Sequence, residues 1–153
     1  MIKKGNQTPN DNRLAKELYE AFHKTKEFKG YDINVSADRD GRVNLQGIVD
    51  VLADIKRAVE FAEEFPGVKS VENDLTISTD GSVNDDDVYM EVTQELGSDP
   101  NVDEEVIHFT VEKGVVSLFG ETASHEERKA AEFAAAKARG VRSINNRIRI
   151  KES

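Results

Sequence analysis

Two rhythms of apolar residues organise this chain. Leu14, Leu18 and Phe22 recur every fourth residue, the spacing of one helical face. Ile33, Val35 and Ala37 then alternate with polar neighbours. After Asp40-Gly41 the alternation resumes as Val43, Leu45 and Gly47, which predicts a hairpin. Ile55, Ala58, Val59, Ala62 and Phe65 form a second helical stripe, closed by Gly67, because glycine takes the left-handed conformation without steric cost. Val71, Asn73, Leu75 and Ile77 predict a last strand. Asp11 or Asn12 is placed to cap the first helix by accepting its free N–H groups.

The whole pattern then repeats. Displaced by 73 positions, residues 41–77 fall on 114–150 without a gap, and twelve positions are identical. They include the pairs Gly41/Gly114, Gly47/Gly120, Gly67/Gly140, Leu45/Leu118, Ala58/Ala131 and Asn73/Asn146. Chance would give about two or three identities over such a span at ordinary residue frequencies. Upstream, one extra residue in the first hairpin turn shifts the offset to 74 and aligns Leu14, Leu18 and Phe22 with Val88, Val92 and Leu96. Ser124 and Glu127 add a capping box to the fourth helix. A tandem duplication follows, with residues 1–11 a flexible leader, 12–78 the first domain, 79–86 a polar linker and 87–151 the second domain.

Each copy reads α-β-β-α-β. Its sheet alternates apolar with polar residues, so one face is buried and the other open. The expected fold class is α+β: two tandem αββαβ units, each a three-stranded sheet with two helices on one face.

Composition removes whole classes of function. The chain has no cysteine, which excludes disulfides and thiolate chemistry. No run of apolar residues is long enough to span a bilayer. The net charge of −9 repels phosphate over most of the surface and argues against nucleic acid as a partner. No secretory segment opens the sequence, so the expected location is cytoplasmic for a full-length chain and periplasmic if an export signal has been removed. A monomer or weak oligomer is expected.

Candidate chemistry is sparse. Gly41 and Gly114 suit turns and Gly67 and Gly140 suit helix ends, while Gly47 and Gly120 are read as leaving room where strand meets helix. Without a lysine and hydroxyl residue after them they make no phosphate loop. His23, His108 and His125 share no ligand spacing and are read as solvated or structural. Asp85, Asp86 and Asp87 lack the pattern of a calcium loop and serve the start of a helix. Neither a cofactor, a metal nor a catalytic residue is expected.

Charge is unevenly distributed. Residues 80–112 hold eleven acidic and no basic side chains, whereas residues 113–153 hold nine basic and five acidic ones. On the open face of the second sheet, Arg147, Arg149 and Lys151 would stand with Phe119, Val115 and His108. The first copy has Glu72, Asp74 and Thr76 where the second has Asn145, Arg147 and Arg149. The cationic and apolar patch suits an anionic headgroup, an acidic protein surface or the acidic face of the first copy.

The motif Gly41-Arg-Val-Asn-Leu-Gln-Gly47 with Gly67-Val-Lys-Ser-Val-Glu-Asn-Asp-Leu-Thr-Ile77 resembles the BON domain (bacterial OsmY and nodulation). It returns as Gly114-Val-Val-Ser-Leu-Phe-Gly120 with Gly140-Val-Arg-Ser-Ile-Asn-Asn-Arg-Ile-Arg-Ile150. The resemblance implies a small αββαβ module of bacterial envelope and stress-induced proteins that is not an enzyme. It makes anionic phospholipid or an envelope protein the implied partner, in a stress or envelope-maintenance role, and the patch of Arg147, Arg149, Lys151, Phe119, Val115 and His108 read from charge and alternation is the candidate surface for it. The alternative is an intracellular protein-interaction or cation-responsive stress module that recruits through residues 80–112.

Overall fold

The computed structural model describes residues 12–78 and 84–151. The expected leader, the cap at Asp11 or the Asn12 side chain, and linker residues 79–83 lie outside the described residues. Two compact units divide the chain.

In the first unit, α1 (Asn12–Lys24) precedes the hairpin β1 (Asn34–Ala37) and β2 (Arg42–Val49). Helix α2 (Leu52–Glu63) and strand β3 (Ser70–Ile77) complete it. The sheet order is β1-β2-β3. Val35 pairs with Leu45 and Ala37 with Val43 across the antiparallel hairpin. Leu14, Leu18 and Phe22 from α1, Val43 and Leu45 from β2, and Ala58 and Ala62 from α2 are all buried. Asn34, Ser36, Arg42, Gln46, Glu72, Asp74 and Thr76, the alternate residues, are exposed. Both helices therefore cover one face, because only that face carries apolar side chains to be removed from water.

The second unit repeats the order with α3 (Asp85–Ser98), β4 (Ile107–Glu112), β5 (Val115–Thr122) and α4 (His125–Ala136). Its last strand differs from the expectation. It runs as β6 (Ser143–Asn146) and β7 (Arg149–Ile150), two short pieces that both lie parallel to β5, so the sheet holds four strands in place of three. A parallel neighbour requires a crossover, and α4 supplies it. The core joins Val88, Val92 and Leu96 of α3 to Val116 and Leu118 of β5 and to Ala131, Ala134 and Ala135 of α4. Alanine on the inner face lets α4 approach its sheet closely.

The start of α3 lies within the stretch read as linker. Asn84 caps it by accepting the Asp87 N–H at 2.9 Å, and Asp85, Asp86 and Asp87 fill the first turn, where acidic side chains favour the helix dipole. Half of the expected capping box of α4 is present: Ser124 Oγ accepts the Glu127 N–H, while Glu127 Oε1 reaches one residue further back and accepts the Ala123 N–H.

Gly47 and Gly120 do a different job from the one expected. A Cβ on Gly47 would meet the Asp32 carbonyl oxygen at 2.8 Å, and one on Gly120 would overlap the Val106 carbonyl oxygen. The space they leave is taken by backbone entering the neighbouring strand, not by a helix.

Candidate functional site

The strand registers fix which predicted site residues meet. His108 on β4 stands directly opposite Phe119 on β5, and both project from the open face. Arg149 on β7 lies beside Glu121 on β5. Arg147, between the two pieces of the last strand, donates its backbone N–H to the Leu118 carbonyl at 2.9 Å, which brings it alongside the Phe119 region. Lys151 donates its N–H to the Thr122 carbonyl at 2.7 Å, extending the pairing beyond β7. The arginines and the lysine are exposed, and Phe119 is half-buried.

Val115 stands apart. It faces Glu112 on one side and Ser143 on the other, with Ser117 between it and Phe119 along β5. At the rise of a strand that places it roughly 13 Å from Phe119.

Two residues that periodicity left unremarked shape this surface. Glu121 continues the outward alternation of β5 and sets one carboxylate among the cations, lowering the local positive potential. Arg128, on the inward side of α4, matches Ile55 of the first copy. Its Nε donates to the Ile148 carbonyl at 2.9 Å and its Nη2 to the Asn146 carbonyl at 3.0 Å. The Asn146 side chain accepts the Ile148 N–H at 3.1 Å and donates to Glu132 Oε1 at 3.0 Å. These bonds pin the break in the last strand, and with it the segment that presents Arg147 and Arg149. A charged residue on an otherwise alanine-rich helix stripe was the sequence signal.

Beside this edge lies a groove of about 710 Å³ lined by Pro100–Ile107, Glu121–Ala123, Glu127 and Lys151. Lys151 shares that groove with Asp103, Glu104, Glu105, Glu121 and Glu127, so it stands at the acidic end of the patch.

The histidines fall in three settings. His108 and His125 are exposed, one on a strand and one at a helix start. His23 packs edge-on against Tyr19, ring centres 4.3 Å apart, with its Nε2 buried and unbonded, a packing role and not a solvated one. Among the described residues no three histidine, aspartate or glutamate side chains gather as a metal site.

The BON domain family matches residues 10–79 and again 84–152. The chain belongs to that family. Its two BON domains coincide with the two copies of the αββαβ pattern. Over 147 residues the chain is 29% identical to Osmotically-inducible protein Y of Escherichia coli (strain K12), a match covering 92% of this chain and 73% of that protein. Two solved structures of CdsD, a structural protein of the type III secretion system of Chlamydia trachomatis, share 14% identity. Their TM-scores are 0.38 and 0.39, over 93% and 94% of this chain and 67% and 64% of theirs. Superposition at that level bears on neither mechanism nor partner. Among the described residues, no helix of the BON domains is long and apolar enough to cross a membrane.

Proposed function

We propose that this chain is a non-catalytic tandem binding module of the bacterial envelope, acting in the response to osmotic stress. Its second BON domain associates with anionic phospholipid headgroups through Arg147, Arg149 and Lys151, with His108, Phe119 and Val115 as the neighbouring apolar and polar surface. The observation that carries this reading is the exposure of Arg147 and Arg149 along the last strand, where Arg147 pairs through its backbone with Leu118, next to Phe119, and Arg149 lies beside Glu121. Membership of the BON family and likeness to an osmotically inducible protein support the envelope and stress setting, on the periplasmic side.

The chemistry is adhesion without bond making. Each basic residue near an anionic surface contributes about 1 kcal/mol. Two arginines and a lysine, offset by Glu121, give a weak contact that salt screens. Half-buried Phe119 adds a small apolar surface at the headgroup boundary.

Flotation with phosphatidylglycerol vesicles tests the reading. Retention is expected at low salt, lost at high salt, lost on phosphatidylcholine, and lost for the double variant Arg147→Glu with Arg149→Glu. Retention that is indifferent to lipid charge or to the double variant would overturn it.

A further inference from the structure

The two copies treat the free edge of their last strand differently. In the second unit Arg128 lays two donors on the carbonyls of Asn146 and Ile148, and the Asn146 side chain occupies the Ile148 N–H. Glu132 holds that asparagine in place. The edge is clasped, and the strand is broken into β6 and β7.

In the first unit the positions of Arg128 and Glu132 carry Ile55 and Val59, whose side chains have no polar atom to offer. Asn73 still accepts the Leu75 N–H at 2.9 Å, but the α2 positions that would clasp the matching carbonyls are apolar. β3 runs unbroken over eight residues at the edge of its sheet. The Leu75 N–H is occupied, but an edge strand that lacks the arginine clasp of the second unit still offers carbonyls to another strand.

Charge selects what can pair there. Glu72 and Asp74 are exposed, two apart on the open face of β3. Asn44 Nδ2 donates to Glu72 Oε1 at 3.1 Å and to Asp74 Oδ2 at 2.6 Å, which draws both carboxylates over the sheet. A groove of about 540 Å³ on the open face spans the three strands, lined by Ser36, Asp38, Arg42, Asn44, Ser70 and Glu72, among others. Edge acids repel acidic strands and other copies of this edge, yet they leave a basic strand attracted.

We infer that β3 is a second binding site, which takes an extended basic segment of a partner protein as an added strand. Backbone pairing along β3 supplies the register, and side chains of lysine or arginine at alternate positions meet Glu72 and Asp74. The site stands on the first BON domain and does not depend on the lipid reading of the second.

Fluorescence anisotropy on the full chain tests it with labelled synthetic peptides about ten residues long, long enough to span a typical strand. A peptide alternating arginine with threonine is expected to bind saturably, and one alternating glutamate with threonine is not. A peptide of arginine–proline–proline units with the same number of arginines has the same charge but lacks N–H groups on both edges of the strand, and should bind at least about tenfold more weakly. Glu72→Gln with Asp74→Gln should weaken the arginine–threonine peptide by about tenfold through lost charge pairing. Ile55→Arg with Val59→Glu, which installs the clasp at no change in net charge, should weaken it as well. If that last variant does not fold, hydrogen exchange decides: slowed amides on peptide addition are expected within Ser70–Ile77. Equal affinity for the proline peptide, indifference to the glutamines, or protection elsewhere than β3 would overturn the inference.

Discussion

The carboxylate of Asp85, in the first turn of α3, accepts the backbone N–H groups of Lys113 at 2.7 Å and Gly114 at 3.0 Å. It ties the start of the second domain to a hairpin turn 28 residues further on, in which Lys113 takes the left-handed conformation with φ 52°. A charged acceptor meeting two amides contributes more than a general interaction with a helix dipole. Asp85→Ala should therefore cost about 1–3 kcal/mol. Asp86→Ala, on the same turn, should cost only about 0.3–1 kcal/mol. Urea denaturation of both variants checks this, and equal costs would reduce Asp85 to a dipole effect.

Gly120 has φ 129°, and the place a Cβ would take is filled by the Val106 carbonyl oxygen. Backbone on both sides leaves nothing flexible to move aside. Gly120→Ala should cost about 3 kcal/mol or more, in the range reserved for strained positions, whereas a substitution in open space stays within about 0.5 kcal/mol. Gly30→Ala is the control, since a Cβ there would find nothing within 4 Å. Thermal melts that place the two variants together would refute the steric account.

The repeat, the hairpin turns and the helix stripes were legible because each depends on local spacing. What escaped depends on contacts across the fold. Glu121 obeys the outward alternation, but its significance arises only from β7 lying beside β5. Arg128 looks like one more charge on a helix until the carbonyls of Asn146 and Ile148 come within its reach. Val115 alternates in phase with Phe119, and phase says nothing about distance along a strand. Phe28 falls in the connection after α1, outside every periodic pattern, yet only 2% of it is exposed.

That phenylalanine completes a set of three rings. Phe22 lies 5.1 Å from Phe28 and 4.9 Å from Phe61, and Phe28 lies 5.5 Å from Phe61, between centres. The second copy has Leu96, Val102 and Ala134 at the same positions. The two domains thus build one architecture with different side-chain volumes at these three positions. Phe28→Ala should cost about 3–5 kcal/mol, the usual result of deleting a buried ring. Val102→Ala, at a partly exposed position, should cost less, about 1 kcal/mol. Chemical denaturation of the two variants gives the comparison.

Arg128 predicts a distinction between charge and shape. Lysine keeps the positive charge but offers a point donor where arginine offers a fork. Arg128→Lys should lose at least one of the two carbonyl bonds and about 1–2 kcal/mol, since bonds to charged groups are the stronger ones. Faster hydrogen exchange should be confined to the segment from Asn146 to Lys151. A lysine variant as stable and as protected as the parent would show that charge alone suffices.

The first hairpin should respond to acid through Asp38. Its Oδ1 accepts the N–H groups of Asp40 at 2.8 Å and Arg42 at 3.0 Å, and its Oδ2 accepts Arg42 Nε at 2.8 Å. These bonds hold the carboxyl below the ordinary aspartate value, the Arg42 backbone N–H contributing most, and the same pairing raises Arg42. A carboxylate whose folded value is depressed stabilises the fold above its unfolded value, about 3.9, and loses that contribution as pH falls through the folded value. Asp38→Asn should then be less stable than the parent at neutral pH, with the difference shrinking as acid protonates Asp38. Salt should trim the Arg42 ion pair, which is solvent-exposed, while leaving the two amide bonds in place. Melting curves of parent and variant across the acidic range give the test. A gap that stays constant from neutral to strongly acidic pH would show that the turn does not depend on the charge of Asp38.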